Sequence, residues 1–172
     1  MRAIRRILVA VKDPAVRSVP AIHKAVQIAQ GSGAHIELFH ALSETIYVDA
    51  VGLGTNGEAM RERALRDTRL RQLESIAAPL RKRGVEITVT AEWDYPPHEA
   101  IVRRALRTNA DLIIAGTHPT AHKAPWLLRF TDWELLRLSP VPVLLVRNPK
   151  PYRRPKLLAA VDPSHAFSKP SK

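Results

Sequence analysis

The run Arg6-Ile-Leu-Val-Ala-Val-Lys12 decides the fold. Its inner residues, Ile7 to Val11, are apolar without alternation. That is the composition of a strand buried on both faces, as strands are in a parallel sheet covered by helices on each side. Asp13-Pro14 breaks the run and the apolar period then changes. Ile22, Ala25, Val26 and Ala29 fall at i, i+3, i+4 and i+7, the spacing of one helix face. A buried strand leading straight into an amphipathic helix opens an alternating α/β chain.

Working outward, we take the first strand as Arg5 to Val11 and expect Gly31 and Gly33 to stop the first helix. Ile36 to Leu42 reads as a second strand, followed by a loop containing Gly52, Gly54 and Gly57. Thr55 and Glu58 have the spacing of a capping box, in which each side chain satisfies a free donor at a helix start. A long helix follows, with Leu73, Ile76, Ala77 and Leu80 on its inner face and Gly84 at its end. Val85 to Trp93 forms a third strand, and Pro96-Pro97 opens a helix carrying Ile101, Val102 and Ala105. Asp111 to Gly116, Pro125 to Leu138 and Val141 to Val146 then give strand, helix and strand. This alternation predicts a doubly wound, Rossmann-like α/β fold with a five-stranded parallel sheet and helices on both faces. Ligands in such folds sit beyond the carboxyl ends of the strands, where the strand order reverses. The loops after Val11, Leu42 and Gly116 are therefore the places for chemistry.

At 172 residues and 45% hydrophobic composition the chain has enough material for one ordinary domain and too little for two. It contains no cysteine, which excludes disulfides, thiolate metal sites and a cysteine nucleophile, and fits a cytoplasmic location. Arg2, Arg5 and Arg6 before Ile7 give the start a superficial likeness to a signal peptide, but the apolar run is short and meets Lys12-Asp13-Pro14. No apolar stretch approaches the roughly 20 residues that a membrane-spanning helix needs, so no membrane association is expected. The 27 Lys+Arg against 16 Asp+Glu, a formal charge of +11, bias the protein toward phosphates and anionic surfaces. Arg61, Arg63, Arg66, Arg69 and Arg71 share one helix, the usual form of a solvated face. No aromatic residues interleave with the bases as stacking platforms, so specific nucleic-acid recognition is not expected.

Residues 148–155 are rich in proline and basic residues and read as a stiff linker. Beyond it, Lys156-Leu-Leu-Ala-Ala-Val-Asp162 repeats the form of Arg6 to Lys12. The expected organisation is a domain over 1–147, a linker over 148–155, and over 156–172 the first strand of an incomplete second repeat.

Several residue sets invite a chemical reading. His118 and His122 have zinc-ligand spacing, but Pro119 lies between them and no third ligand is near. Asp132 and Glu134 are expected as surface charges, since helix positions two apart do not share a face. Ser43, Ser139 and Ser164 lack the strained glycine elbow of a nucleophilic serine. No catalytic residue, metal site or enzymatic activity is expected. Trp126, Phe130 and Trp133 make a helical stripe whose ordinary reading is core, with an apolar small ligand as the alternative.

Ile7 to Val11, Pro96-Pro-His-Glu-Ala-Ile101, Ala110-Asp-Leu-Ile-Ile-Ala-Gly116 and Pro140-Val-Pro-Val-Leu-Leu-Val146 together resemble the universal stress protein family, over about residues 4 to 147. The second opening strand makes the chain similar to the N-terminal half of a tandem member. The resemblance implies a role in stress response and, for many members, an ATP motif of glycine, two residues, glycine, nine residues, glycine, then serine or threonine. Laid on this chain the motif meets Gly116, Pro119, Arg129 and Phe130. Pro119 has no N–H for a phosphate, Arg129 adds a side chain where bare backbone is needed, and Phe130 replaces a hydroxyl with a ring. Lys12 stands where the family often has an acid; Asp13 is adjacent, and Asp162 keeps the usual position in the partial repeat.

The motif therefore reads as degenerate and no cofactor is expected. A pocket rebuilt from Lys12, Asp13, Gly116, His118, Arg129 and Phe130 is the alternative, with ATP as its ligand. The resemblance also implies self-association through the last strand, Val141 to Val146, and further protein partners that the sequence does not identify.

Overall fold

The computed structural model describes residues 3–16, 19–43, 55–117, 125–148 and 150. The elements are β1 (Arg6–Ala10), α1 (Pro20–Ser32), β2 (His35–Leu42), α2 (Thr55–Arg81), β3 (Ile87–Trp93), α3 (Pro97–Arg107), β4 (Leu112–Gly116), α4 (Pro125–Leu138) and β5 (Val143–Val146). All strand pairs are parallel and the sheet order is β3-β2-β1-β4-β5. The chain winds outward from β1 to β3, then crosses back to β4 on the other side of β1. The order thus reverses between β1 and β4, the doubly wound arrangement the sequence predicts.

Side chains of a strand alternate between faces, so an uninterrupted apolar run supplies two cores at once. Ile7, Val9 and Val11 pack with Ala21, Ala25 and Ala29 of α1 and with Leu73 and Ala77 of α2. Leu8 faces the other way, into a cluster with Phe39, Ile113, Ala100 and Ala105 of α3 and Leu135 of α4. The alanines matter because a small residue lets a helix backbone approach the sheet closely.

Five details differ from the sequence reading, the first being that β3 begins at Ile87, not Val85. Gly31 lies inside α1 and is exposed. The stop comes from Gly33 alone, at φ 68°, whose N–H bonds the Ala29 carbonyl at 2.7 Å. β5 begins at Val143, not Val141, because Pro142 has no N–H to pair; its carbonyl accepts from Ile113 at 2.9 Å and Val141 belongs to the preceding turn. Asp132 and Glu134 are half-buried, and Glu134 accepts from Arg137 at 3.0 Å. Trp133 is 64% exposed and so is not core; the side chains of Trp126 and Phe130 lie outside the described residues, as do those of the Thr55–Glu58 capping pair.

The sheet also holds a charge that the apolar pattern hides. Glu37, in β2, is 7% exposed. Arg104 of α3 donates to its Oε1 from Nε at 3.0 Å and Nη2 at 2.5 Å, and the Thr90 hydroxyl adds a bond at 2.7 Å. Arg104 also reaches Glu92 at 2.6 Å, and Arg107 pairs with the same carboxylate. A buried charge left alone is strongly destabilising, whereas exchanging the pair for apolar groups is often neutral. We therefore expect Arg104→Met to cost about 3 kcal/mol in urea unfolding. The double variant Glu37→Met/Arg104→Met should recover most of that loss; equal destabilisation of the single and double variants would show the pair is not the source.

Candidate functional site at the carboxyl edge

The reversal between β1 and β4 brings their carboxyl ends to one edge, bounded among the described residues by the first turn of α1. The strands are laced slightly beyond their last residues. Val11 donates to the Phe39 carbonyl at 2.8 Å and Thr117 to the Val146 carbonyl at 2.9 Å. The Val11 carbonyl is 2.8 Å from Nδ1 of His40, which is buried near the end of β2.

Lys12 follows directly and is exposed, with no side-chain partner among the described residues. Asp13 is exposed too, but its carboxylate is engaged locally: Oδ1 accepts the Ala15 N–H at 2.9 Å and its carbonyl accepts Val16 at 3.3 Å. This is an Asx turn that steers the chain toward α1. The N-terminus of α1 has Pro20 in its first turn, no side-chain cap from Val19 and no acidic residue in that turn. The Ile22 and His23 N–H groups of that turn donate to the Val19 carbonyl at 3.0 and 3.4 Å, so the positive field at the edge comes from the helix dipole, and Lys12 adds to it.

Gly116 closes the edge from the β4 side. A Cβ built on it would lie 4.0 Å from both the Ala21 Cβ and the Val146 carbonyl oxygen, ordinary contact distances. Neither sterics nor a positive φ requires glycine there. Lys12, Asp13 and Gly116 are thus brought to one edge. His118 lies outside the described residues, and Arg129 and Phe130 belong to α4 with side chains that are not described. His122 is likewise outside; among the described residues no group of three or more metal-ligating side chains converges.

Other polar residues escape sequence reasoning. Asp94, at the exit of β3, receives Arg103 at 2.6 and 3.1 Å, and that guanidinium holds its carboxyl below the usual carboxylate range. Arg103 also bonds Glu99 at 2.8 Å, an i,i+4 pair that the sequence does reveal. Lys24 of α1 is 1% exposed, and its ammonium donates to the Lys150 carbonyl. This fixes residue 150 against α1.

The class is an α/β fold whose strand order reverses between β1 and β4, and residues 3–147 match the universal stress protein family, so the chain belongs to that family. It is 28% identical to Universal stress protein E of Photorhabdus laumondii over 141 residues, 82% of this chain and 45% of that protein. It is 26% identical to Universal stress protein E of Escherichia coli K12 over 160 residues, 93% of this chain and 51% of that protein. The chain thus spans about half the length of the curated relatives it matches. The fold is shared with a universal stress protein solved in complex with cAMP, at 22% identity and a TM-score of 0.54, over 85% of this chain and 98% of that one. It is also shared with an Archaeoglobus fulgidus universal stress protein in complex with dAMP, at 17% identity and a TM-score of 0.53, over 85% and 100%.

Because packing leaves room for a methyl group at Gly116, Gly116→Ala should leave thermal stability unchanged or raise it by up to about 1 kcal/mol through the unfolded chain. A loss beyond about 1 kcal/mol would mean that the glycine serves the fold and not the edge.

Proposed function

We propose that this chain serves the stress response by non-enzymatic association, through the free edge of β5, with a nucleotide site reduced to a remnant. The observation that carries the reading is the character of that edge. Within a parallel ladder, alternate residues turn both backbone groups to the same neighbour. The carbonyls of Pro142 and Val146 accept from β4 and its extension, so Val143 and Leu145 direct their N–H and C=O away from β4. Val143 and Leu145 are only half-buried, and α4 exposes Trp133, Leu136 and Leu138 on the same side of the sheet. Among the described residues these outward groups have no strand partner, and such backbone beside apolar surface suits pairing with a second copy.

The non-enzymatic part of the proposal rests on the residues available. Ser139 donates its hydroxyl to the Val141 carbonyl at 2.7 Å, a turn role. The absence of cysteine supports placing the protein in a reducing compartment such as the cytoplasm.

A second reading is adenine-nucleotide binding in a rebuilt pocket. It is favoured by the cAMP and dAMP held by the two similar structures, and by Gly116, by Lys12 with no side-chain partner among the described residues, and by an α1 N-terminus without a side-chain cap at the carboxyl edge. Pro119, Arg129 and Phe130 weigh against it, since each removes a backbone donor, a close approach or a hydroxyl from the phosphate site.

Light scattering on the purified chain should give the mass of a dimer. Leu145→Pro removes an outward donor without taking one from the β4 ladder, and should give monomer at the same concentration. An unchanged mass in that variant would sink the edge-strand assignment. Calorimetric titration with magnesium and ATP should show no saturable micromolar binding. Such binding, weakened by Lys12→Glu, would move the function to the second reading.

A further inference from the structure

A groove of about 760 Å³ runs between α1 and the C-terminal half of α2. It lies in the helical layer that covers one face of the sheet, and it includes neither the β5 edge nor Lys12 and Gly116. Its volume falls within the roughly 300–1,000 Å³ of small-molecule sites.

The apolar side of the groove is formed by Ile22 and Val26, at 3% and 8% exposure, opposite the half-buried Ile76 and Leu80. Among the described residues that line it, Arg83 is the one Lys, Arg, Asp or Glu, and the exposed His23 adds a polar ring. Glu74, the residue before the groove-lining Ser75, is committed to Arg81. Arg81, Arg103, Arg104, Arg107 and Arg137 all have carboxylate partners. Arg83 has no partner among the described residues and is exposed at the groove.

We propose that this groove binds a free anionic amphiphile, a medium-chain alkyl carboxylate. The tail lies along Ile22, Val26, Ile76 and Leu80, and the carboxylate meets Arg83. The length agrees with this. From Ile22 to Gln30 along α1 is about 12 Å at a rise of ~1.5 Å per residue, the span of an extended chain of about ten carbons. Apolar burial supplies the affinity and the guanidinium–carboxylate bond supplies the orientation.

The test is an amide-resolved NMR titration of the full chain with sodium decanoate below its micellar concentration. We expect saturable shifts at His23, Gln30, Ile76 and Arg83. Arg83→Glu should weaken binding at least about tenfold, the order of a lost charge-assisted bond. Lys82→Glu, an adjacent exposed cation that does not line the groove, controls for diffuse attraction to a protein of charge +11 and should change affinity less than about twofold. Decyltrimethylammonium, with the same tail and opposite charge, should not bind. Absence of saturable shifts, equal weakening by both variants, or binding of the cation would overturn the proposal. So would recruitment to anionic phosphatidylglycerol vesicles through Arg83 without binding of free decanoate. Because the β5 edge takes no part, the light-scattering result is independent of this outcome.

Discussion

Burial of one sheet on both faces at once is the constraint on which the rest of this structure depends. β1 sits between β2 and β4 and sends Ile7 and Val9 to one core and Leu8 to the other, so no residue of its centre meets water. Two helices must then cover each face, and strands must alternate with helices along the chain. Winding outward from β1 in two directions is what such a chain does, and it sends the helices that follow β1 and β4 to opposite faces of the sheet. The positive first turn of α1 and Lys12 border the carboxyl edge because the topology puts them there, before any ligand is considered.

The same constraint leaves two edge strands, and the protein treats them differently. β3 carries Thr88, Thr90 and Glu92 at alternate positions, and Arg104 and Arg107 of α3 draw Glu92 into an ion-pair network. Polar and charged side chains on an edge discourage pairing with another chain. β5, Val-Leu-Leu-Val, carries none, and neighbouring α4 exposes Trp133 and Leu136. One edge is guarded and the other is left apolar, which is why association is assigned to β5.

The order of elements was legible in the sequence because it rests on local patterns: the unbroken run of Ile7 to Val11, the helical spacing of Ile22 to Ala29, and prolines at the starts of α3 and α4. What was not legible depends on contacts distant in the chain. Glu37 and His40 interrupt the apolar pattern of β2, and nothing local tells that the first meets Arg104 and the second the Val11 carbonyl. Lys24 falls on an otherwise apolar helix face, and its acceptor at Lys150 lies at the far end of the domain. At the candidate site the family resemblance led to Lys12, Asp13 and Gly116, and the topology brings them to one edge. Spacing did not reveal that the Asp13 carboxylate closes its own turn.

The central claim is that the outward backbone of β5 is paired with a second copy. Hydrogen exchange read at single amides tests it most directly, because Leu144 and Val146 donate within the sheet whereas Val143 and Leu145 face outward. In concentrated protein the account predicts slow exchange at all four amides, with Val143 and Leu145 alone becoming fast on dilution. Fast exchange at Val143 and Leu145 at every concentration, beside protected Leu144 and Val146, would mean that the edge is free and would contradict the account.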